Sequence, residues 1–233
     1  MTFYLIGLGL NEESLSEEAF LILKKCRKVY LETYTIEFPY SVSKFEKFNV
    51  LPLTRRMVED EKFVDDAKKE DVALLVYGSP LVATTHISLI IKCKKDGIKY
   101  KILHNASILD AIAETGLQLY KFGKISSIPA WTPDYKPDSF VSVIEENKKI
   151  DAHTLLLVDI GLPVKIALEQ LEEASRKKIK LGKIILCSRL GNKDEKIKYG
   201  NIPELKKTKL MPPVSIIIPG KLHFLEKEFL EKL

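Results

Sequence analysis

The chain has 233 residues, of which 45% are hydrophobic and 30% charged, a balance typical of a folded globular protein rather than a disordered one. At roughly 150 residues per domain, this length predicts one large domain or two small ones. The net charge is +5, but the basic runs at 176–180 and 206–209 come without a nucleic-acid-binding motif or interleaved aromatic residues. We therefore expect no direct nucleic-acid partner and interpret these runs as solvated helix ends and loops.

The cysteines and the apolar segments bound the type of protein further. Cys26, Cys93 and Cys187 are odd in number and never spaced as C-x-x-C, which predicts reduced core thiols rather than disulfides or metal ligands. No apolar run approaches the roughly 18 residues that a membrane-spanning helix needs. The first residues enter a strand without a basic segment, so we expect no signal peptide, no membrane partner and a cytoplasmic location.

The first half of the chain alternates apolar strands with helical stretches, which predicts an α/β architecture. Strands are predicted at 2–6, 28–32, 49–53, 72–77 and 100–103, and helices at 14–25, 59–69, 84–95 and 107–115. Residues 72–77 are almost purely apolar, which favours a central parallel strand buried on both faces. Ser14 and Glu17 match the S-x-x-E capping box at the start of the first helix.

The second half repeats the pattern less regularly. Residues 124–137 contain three prolines and have the character of a linker. Beyond them, helices are predicted at 139–147 and 164–176, strands at 154–160, 183–187 and 215–219, and the edge strand of a hairpin at 196–199. We therefore predict two α/β domains, residues 1–123 and 124–233. Ligands in such folds lie beyond the carboxyl ends of strands, and clefts between domains are favoured sites.

Two segments that follow strand ends could contact a ligand. The first, G-L-G-L at 7–10, has Glu12 where a dinucleotide fingerprint needs its third glycine, so a structural turn and a ligand contact both remain open. The second, G-S-P-L-V-A-T-T-H at 78–86, opens a helix and would expose free backbone amides. Thr84 or Thr85 could equally be the cap of that helix.

A third segment, H-N-A-S-I at 104–108, again joins a strand end to a helix start. Asn105 and Ser107 are good helix caps, and their polar groups could equally hold the carboxylate or ribose of a ligand. The chain has no G-x-x-x-x-G-K-[ST] motif, which argues against a nucleoside triphosphatase.

These segments occur in order with T-G-L-Q-L-Y-K-F-G-K at 115–124, H-T-L-L-L-V-D-I at 153–160 and P-G-K-L-H at 219–223. Together they resemble the diphthine synthase family, which belongs to the tetrapyrrole-methylase-like methyltransferases, over essentially the whole chain. The resemblance implies two α/β domains of the tetrapyrrole methylase type with S-adenosyl-L-methionine in the cleft between them, and a homodimer. It also implies N-methylation of the 3-amino-3-carboxypropyl group on a histidine of translation elongation factor two, giving diphthine.

The resemblance also implies a set of cofactor-binding positions, which lie in both halves of the chain: Leu10, Ser79, Val82, Ser107, Ile108, Val158, Leu190 and Val214. The family usually has Gly-Asp-Pro where this chain has Gly78-Ser79-Pro80. Serine can accept a hydrogen bond but without charge assistance, so the difference predicts weaker cofactor binding.

No catalytic residue follows from the sequence. The four histidines are each expected to have structural or capping roles: His86, His104, His153 and His223. None has the spacing of a metal site, so no metal is expected. Two alternatives remain open: a methyltransferase of the same fold that acts on a tetrapyrrole, and a cofactor-binding regulatory protein without catalysis, which Ser79 keeps in consideration.

Overall fold

A computed structural model describes all 233 residues, and the chain divides into two compact units, Met1–Leu109 and Asp110–Leu233. The sequence placed the boundary after residue 123. Residues 110–123 belong instead to the second unit, because they form hydrogen bonds to it that are described below.

The first unit is an α/β layer built on one sheet. Its strands are β1 (Thr2–Gly7), β2 (Lys28–Glu32), β3 (Val50–Leu53), β4 (Val72–Val76) and β5 (Lys99–Leu103). Its helices are α1 (Glu17–Leu23), α2 (Arg55–Glu59), α3 (Ile87–Lys95) and the start of α4 (Ile108–Ala111), with 3₁₀ helices at Ser43–Phe48 and Lys62–Lys68. The strand order is β3-β2-β4-β1-β5, and every neighbouring pair is parallel. All five residues of β4 are buried, which confirms the prediction of a central strand covered on both faces.

Two predicted helices of this unit begin or end differently in the structure. The cap of α1 is Ser16, whose hydroxyl accepts a hydrogen bond from the Ala19 amide at 3.1 Å, and not Ser14 as the capping box suggested. The helix predicted at 59–69 is split, because Glu61 adopts a left-handed backbone conformation (φ 55°) between α2 and the second 3₁₀ helix.

The helices of the second unit are the rest of α4, α5 (Ser139–Lys149), α6 (Val164–Ser175), α7 (Ile202–Leu205) and α8 (Phe224–Leu230), with 3₁₀ helices at Ile112–Thr115 and Leu119–Lys121. Its strands are β6 (Ser126–Ile128), β7 (Thr154–Val158), β8 (Ile184–Ser188), β9 (Lys196–Gly200) and β10 (Val214–Ile218). Its sheet order is β6-β7-β10-β8-β9, and only β6 and β7 are parallel. Part of the linker predicted at 124–137 is therefore a strand, β6. β9 is the edge strand of a hairpin, as predicted.

A buried carboxylate ties the end of the chain to the start of the second unit. Glu226 is fully buried in α8 and accepts hydrogen bonds from Lys121 Nζ at 2.5 Å, the Gln118 amide at 3.0 Å and the His223 amide at 2.6 Å. Its Oε1 also lies 3.1 Å from His153 Nε2. Burial alone would raise the pKa of Glu226, but these donors outweigh it and lower the pKa to about 2.

His153 is fixed from both sides. Its Nδ1 accepts a hydrogen bond from the Gly220 amide at 2.9 Å, so Nε2 carries the proton that points to Glu226. Burial lowers the pKa of His153, which favours this neutral form. The strings at 115–124, 153–160 and 219–223 thus meet at one hydrogen-bonded cluster, which accounts for Lys121 and His153 without any ligand.

A second polar anchor holds the end of the segment 110–123. Asn147 is buried in α5, and its side chain pairs with both the amide and the carbonyl of Lys124 at 2.9 and 2.8 Å. Gly123 donates to the His153 carbonyl at 2.9 Å, and its lack of a side chain is required, since a Cβ there would lie 2.2 Å from Asn147 Oδ1.

Two further sequence expectations concern cysteines and membranes. All three cysteines are free thiols, and burial raises the pKa of Cys26 to about 12, of Cys93 to about 11 and of Cys187 to about 12. These thiols are therefore unreactive. None of the helices combines the length and the apolar character that crossing a bilayer requires.

We predict that Glu226→Gln lowers the free energy of unfolding by about 3 kcal/mol, because it leaves buried donors facing an amide instead of a carboxylate. Urea denaturation at pH 7 measures this change. The matched control is Glu228→Gln on the same helix, whose carboxylate is exposed and pairs only with Lys232, and which should cost less than about 0.5 kcal/mol. Equal losses in the two variants would contradict the anchoring role of Glu226.

Candidate functional site

The C-terminal edge of the first sheet carries the three segments that the sequence singled out. All five strands run in parallel, so their carboxyl ends lie along one edge. Because β1 lies between β4 and β5, the turns after these three strands are neighbours. This is the edge at which ligands bind in open α/β sheets.

A pair of backbone hydrogen bonds joins the first two turns. The amide of Gly9 donates to the Gly78 carbonyl at 3.0 Å, and the Gly78 amide donates to the Gly9 carbonyl at 3.0 Å. Gly9 has φ +72°, and a Cβ on it would lie 2.3 Å from Ser14 Cβ. The turn itself therefore requires the glycines of G-L-G-L. This structural requirement holds whether or not the turn also contacts a ligand.

Asn105 joins the third turn to the first. Its side-chain amide donates to the carbonyls of Gly7 at 3.1 Å and Ser14 at 2.8 Å, and its Oδ1 accepts from the Ala106 amide at 2.8 Å. All the capacity of its NH₂ group is used within the protein. Asn105 is therefore a structural tie between turns, a role that neither helix capping nor ligand binding had predicted.

The segment at 78–86 is held in a strained conformation. Leu81 and Ala83 have φ angles of 67° and 54°, in the left-handed region that residues with side chains rarely adopt. The hydroxyl of Thr84 is buried and has no hydrogen-bond partner. Neither Thr84 nor Thr85 caps the next helix, because α3 begins at Ile87 and His86 occupies the cap position.

The structure brings together the predicted residues of the first unit along this edge. Leu10, Ser79 and Ser107 are buried, and Val82 and Ile108 are half-buried. The hydroxyl of Ser79 accepts a long hydrogen bond of 3.4 Å from the Asn105 amide, and that of Ser107 accepts one of 3.2 Å from the Leu109 amide.

A buried carboxylate–imidazole pair lies at the end of the segment 78–86. Glu32, the last residue of β2, and His86 are 2% and 1% exposed, and Oε2 of Glu32 lies 2.7 Å from Nε2 of His86. Despite this short distance, the orientation of the two groups does not meet the requirements of a hydrogen bond, and His86 Nδ1 has no partner. A buried polar group without a partner costs about 1–3 kcal/mol. Sequence reasoning missed Glu32, although a single acidic residue at the end of the apolar strand K-V-Y-L-E was the available signal.

The predicted residues of the second unit also share one edge of their sheet. Val214 opens β10 opposite Ser188 at the end of β8, and the same strand pairs with β7, which ends at Val158. The buried Leu190 follows β8, next to Arg189, whose amide donates to the Pro213 carbonyl at 2.9 Å. Val158, Leu190 and Val214 therefore lie in a row along this edge.

Other polar candidates of the second unit have structural partners. Asp159 accepts hydrogen bonds from the amides of Ala130 at 3.1 Å and Ile160 at 2.9 Å, and His223 caps α8. A cavity of about 650 Å³ lies between the end of α6 and the start of α7, at the sheet edge opposite to the row just described. The cavity is open and contains none of the predicted cofactor-binding residues, so we do not regard it as the functional site.

The chain is similar in sequence to known proteins. The sequence model of the Tetrapyrrole (Corrin/Porphyrin) Methylases matches residues 2–206. The two α/β units, each built on one sheet, agree with that match.

Over nearly its whole length the chain is similar to diphthine methyl ester synthases. That of Yarrowia lipolytica is 36% identical over 97% of this chain and 87% of its own, and that of Bos taurus is 35% identical over 97% and 93%. A crystal structure of diphthine synthase superposes with a TM-score of 0.90 at 32% identity and covers 100% of this chain and 95% of its own. The chain belongs to the tetrapyrrole methylase family, in its diphthine synthase branch, and is a methyltransferase.

We predict that Gly9→Ala lowers the free energy of unfolding by about 2 kcal/mol or more, because the new Cβ is both in the left-handed region and in collision with Ser14. Thermal and urea unfolding provide the measurement. Gly97→Ala is the control, since Gly97 has φ +66° but open space around the added Cβ, so that only the conformational cost of about 1 kcal/mol remains. A loss in Gly9→Ala no larger than in Gly97→Ala would contradict the proposed close approach.

Proposed function

We propose that the protein transfers methyl groups from S-adenosyl-L-methionine to the amine of the 3-amino-3-carboxypropyl-histidine side chain of translation elongation factor two, and so makes diphthine. The observation that carries this proposal is the meeting of the G-L-G-L, G-S-P and H-N-A-S-I turns at one edge of the parallel sheet. The names of the relatives support the substrate.

The groups present at this edge fit an adenosyl donor. Leu10, Val82 and Ile108 offer apolar surface for a base, and Ser79 and Ser107 offer hydroxyls for ribose or for the amino-acid part. The buried, unpaired hydroxyl of Thr84 is a further polar group suited to a ligand. In the second unit, Val158, Leu190 and Val214 are the proposed contacts, and they too are apolar.

The reaction depends on alignment of the reactants and exclusion of water more than on acid–base catalysis. The donor supplies a methyl group that is already activated on a sulfonium, so displacement requires the amine to approach in line with the carbon–sulfur bond. The chain's part is to hold the reactants and to exclude water, for which apolar residues and backbone groups suffice. The amine must be unprotonated, and an α-amino group with a pKa near ~8 is partly neutral at pH 7. No side chain is therefore assigned as a general base.

The proposal predicts methyl transfer to elongation factor two that carries the unmethylated 3-amino-3-carboxypropyl side chain. The test incubates the protein with labelled S-adenosyl-L-methionine and this factor, and follows label and intact mass of the factor. The control is the same factor with its histidine unmodified, which should take up no label. Binding of the donor without transfer would favour the regulatory alternative, and methylation of a precorrin instead of the factor would favour the tetrapyrrole alternative.

A second product is favoured by the names of the curated relatives, which refer to a methyl ester of diphthine. Such a product carries one methyl group on a carboxylate oxygen in addition to those on nitrogen. Mild alkali separates the two outcomes, because it hydrolyses the ester and leaves the methylammonium intact. We propose the N-methylated product, and an alkali-labile methyl group on the factor would extend the reaction to the ester.

We predict that Ser79→Asp tightens binding of S-adenosylhomocysteine, measured by calorimetry, roughly fivefold, since a charged acceptor adds about 1 kcal/mol over a neutral one. Ser79→Asn is the control, because it has nearly the same size without the charge, and should not tighten binding. Unchanged or weaker binding in Ser79→Asp would contradict the idea that serine limits affinity at this position.

The proposal has consequences for partners and location. Elongation factor two works on the ribosome, so we expect the enzyme in the cytoplasm. We also expect a homodimer, in line with the family resemblance, and light scattering on the purified protein measures its mass in solution.

A further inference from the structure

Glu32 and His86 form a buried carboxylate–imidazole pair in the first unit, and neither residue is explained by the proposed donor contacts. Glu32 ends β2, one residue beyond the pairing of Leu31 with Leu75 in β4, and His86 ends the segment 78–86 that follows β4. Their closest atoms are 2.7 Å apart at 2% and 1% exposure. The pair therefore connects two neighbouring strand ends on the edge where the motif turns lie.

The same carboxylate holds a second loop. The other oxygen of Glu32, Oε1, accepts a hydrogen bond of 3.0 Å from the Thr35 amide, in the loop that follows β2. One residue thus fixes the loop after β2 through Thr35 and the loop after β4 through His86. A carboxylate suits this role because its two acceptor oxygens lie in one rigid plane and can face two segments at once.

A purely structural role explains this arrangement poorly. Glu226 in the second unit shows what a structural carboxylate looks like, since each of its oxygens accepts at least one well-formed hydrogen bond. Glu32 and His86, in contrast, leave Oε2, Nε2 and Nδ1 without a well-formed hydrogen bond, and the hydroxyl of Thr84 nearby in sequence is also buried and unpaired. Incomplete satisfaction in a core is a cost that calls for an explanation, and a nearby ligand site is one such explanation.

The strained backbone of the segment points in the same direction. Leu81 and Ala83 remain left-handed only if the ends of the segment are held, because each such conformation is unfavourable for a residue with a side chain. One end is held by the Gly9–Gly78 hydrogen bonds, and the other by His86 against Glu32. Ser79 and Val82, two of the proposed donor contacts, lie between these two anchors.

We propose that Glu32 and His86 are a positioning pair for the methyl donor: buried behind the segment 78–86, they hold it in the conformation that binds S-adenosyl-L-methionine, without contacting the reacting atoms. This inference rests on the proposed function, because it assigns the pair to the same donor site. It separates the residues that would contact the donor from those that hold them in place.

The first test measures binding of S-adenosylhomocysteine by calorimetry to Glu32→Gln, which keeps the size of the side chain and one acceptor but removes the charge that faces His86. The affinity should fall at least roughly tenfold. The KM for S-adenosyl-L-methionine should rise in parallel, while the KM for elongation factor two stays unchanged. The control is Val72→Ala, which creates a cavity in the core of the same unit at the amino-terminal end of β4, opposite to the end at which both loops begin, and should bind the ligand within about twofold of wild type.

A second variant keeps the test decisive if Glu32→Gln does not fold. Glu32→Leu combined with His86→Leu replaces the whole pair by apolar side chains, a change that is often neutral for stability. A folded double variant with weakened ligand binding supports the positioning role. Binding at wild-type strength by either variant, or an equal loss in Val72→Ala, overturns it. If the wild-type protein itself fails to bind S-adenosylhomocysteine, the proposed function fails and the inference fails with it. The wild-type measurement alone distinguishes this outcome from a failure of the inference.

Discussion

Two backbone hydrogen bonds between Gly9 and Gly78 are the constraint on which the site of the first unit depends. They form an antiparallel bridge just beyond the parallel pairing of β1 and β4, so that two turns are locked together where a ligand would approach. Asn105 then attaches the third turn to the same point. The polar residues of these turns are thereby placed by main-chain geometry, and their side chains remain available for chemistry.

The two units use buried carboxylates in different ways. Glu226 is surrounded by donors and binds the segment 110–123 to the second unit, which is why that segment does not belong to the first. Glu32 has one well-formed backbone donor and a poorly oriented histidine. Four good donors are the mark of a structural anchor, whereas an incompletely satisfied pair beside a strained loop is typical of a site whose geometry is kept for binding.

The sequence predicted most strands, because an apolar run such as that of β4 has few alternatives to a buried strand. It also predicted that three segments would follow strand ends, and the parallel order makes them meet. It chose Ser14 instead of Ser16 as the cap of α1, since both are serines near the same helix start and only the backbone path selects one. The domain boundary was beyond reach for a similar reason: Glu226 lies more than a hundred residues after Gln118, and no local pattern reveals that contact. The cofactor positions came from family resemblance, and their binding roles stay predictions.

The order of strands has one more consequence, for the behaviour of the protein at high concentration. Each sheet has two outer strands with unpaired main-chain groups, and such strands can recruit other chains into aggregates. Here β3 contains Pro52, which lacks a donor, β5 carries Lys99 and Lys101, and β9 carries Lys196 and Lys198, all exposed. The fourth, β6, is only three residues long. Each edge strand thus contains a proline, carries like charges or is very short. Edge-to-edge association of the sheets is therefore disfavoured, and we expect self-association to use other surfaces.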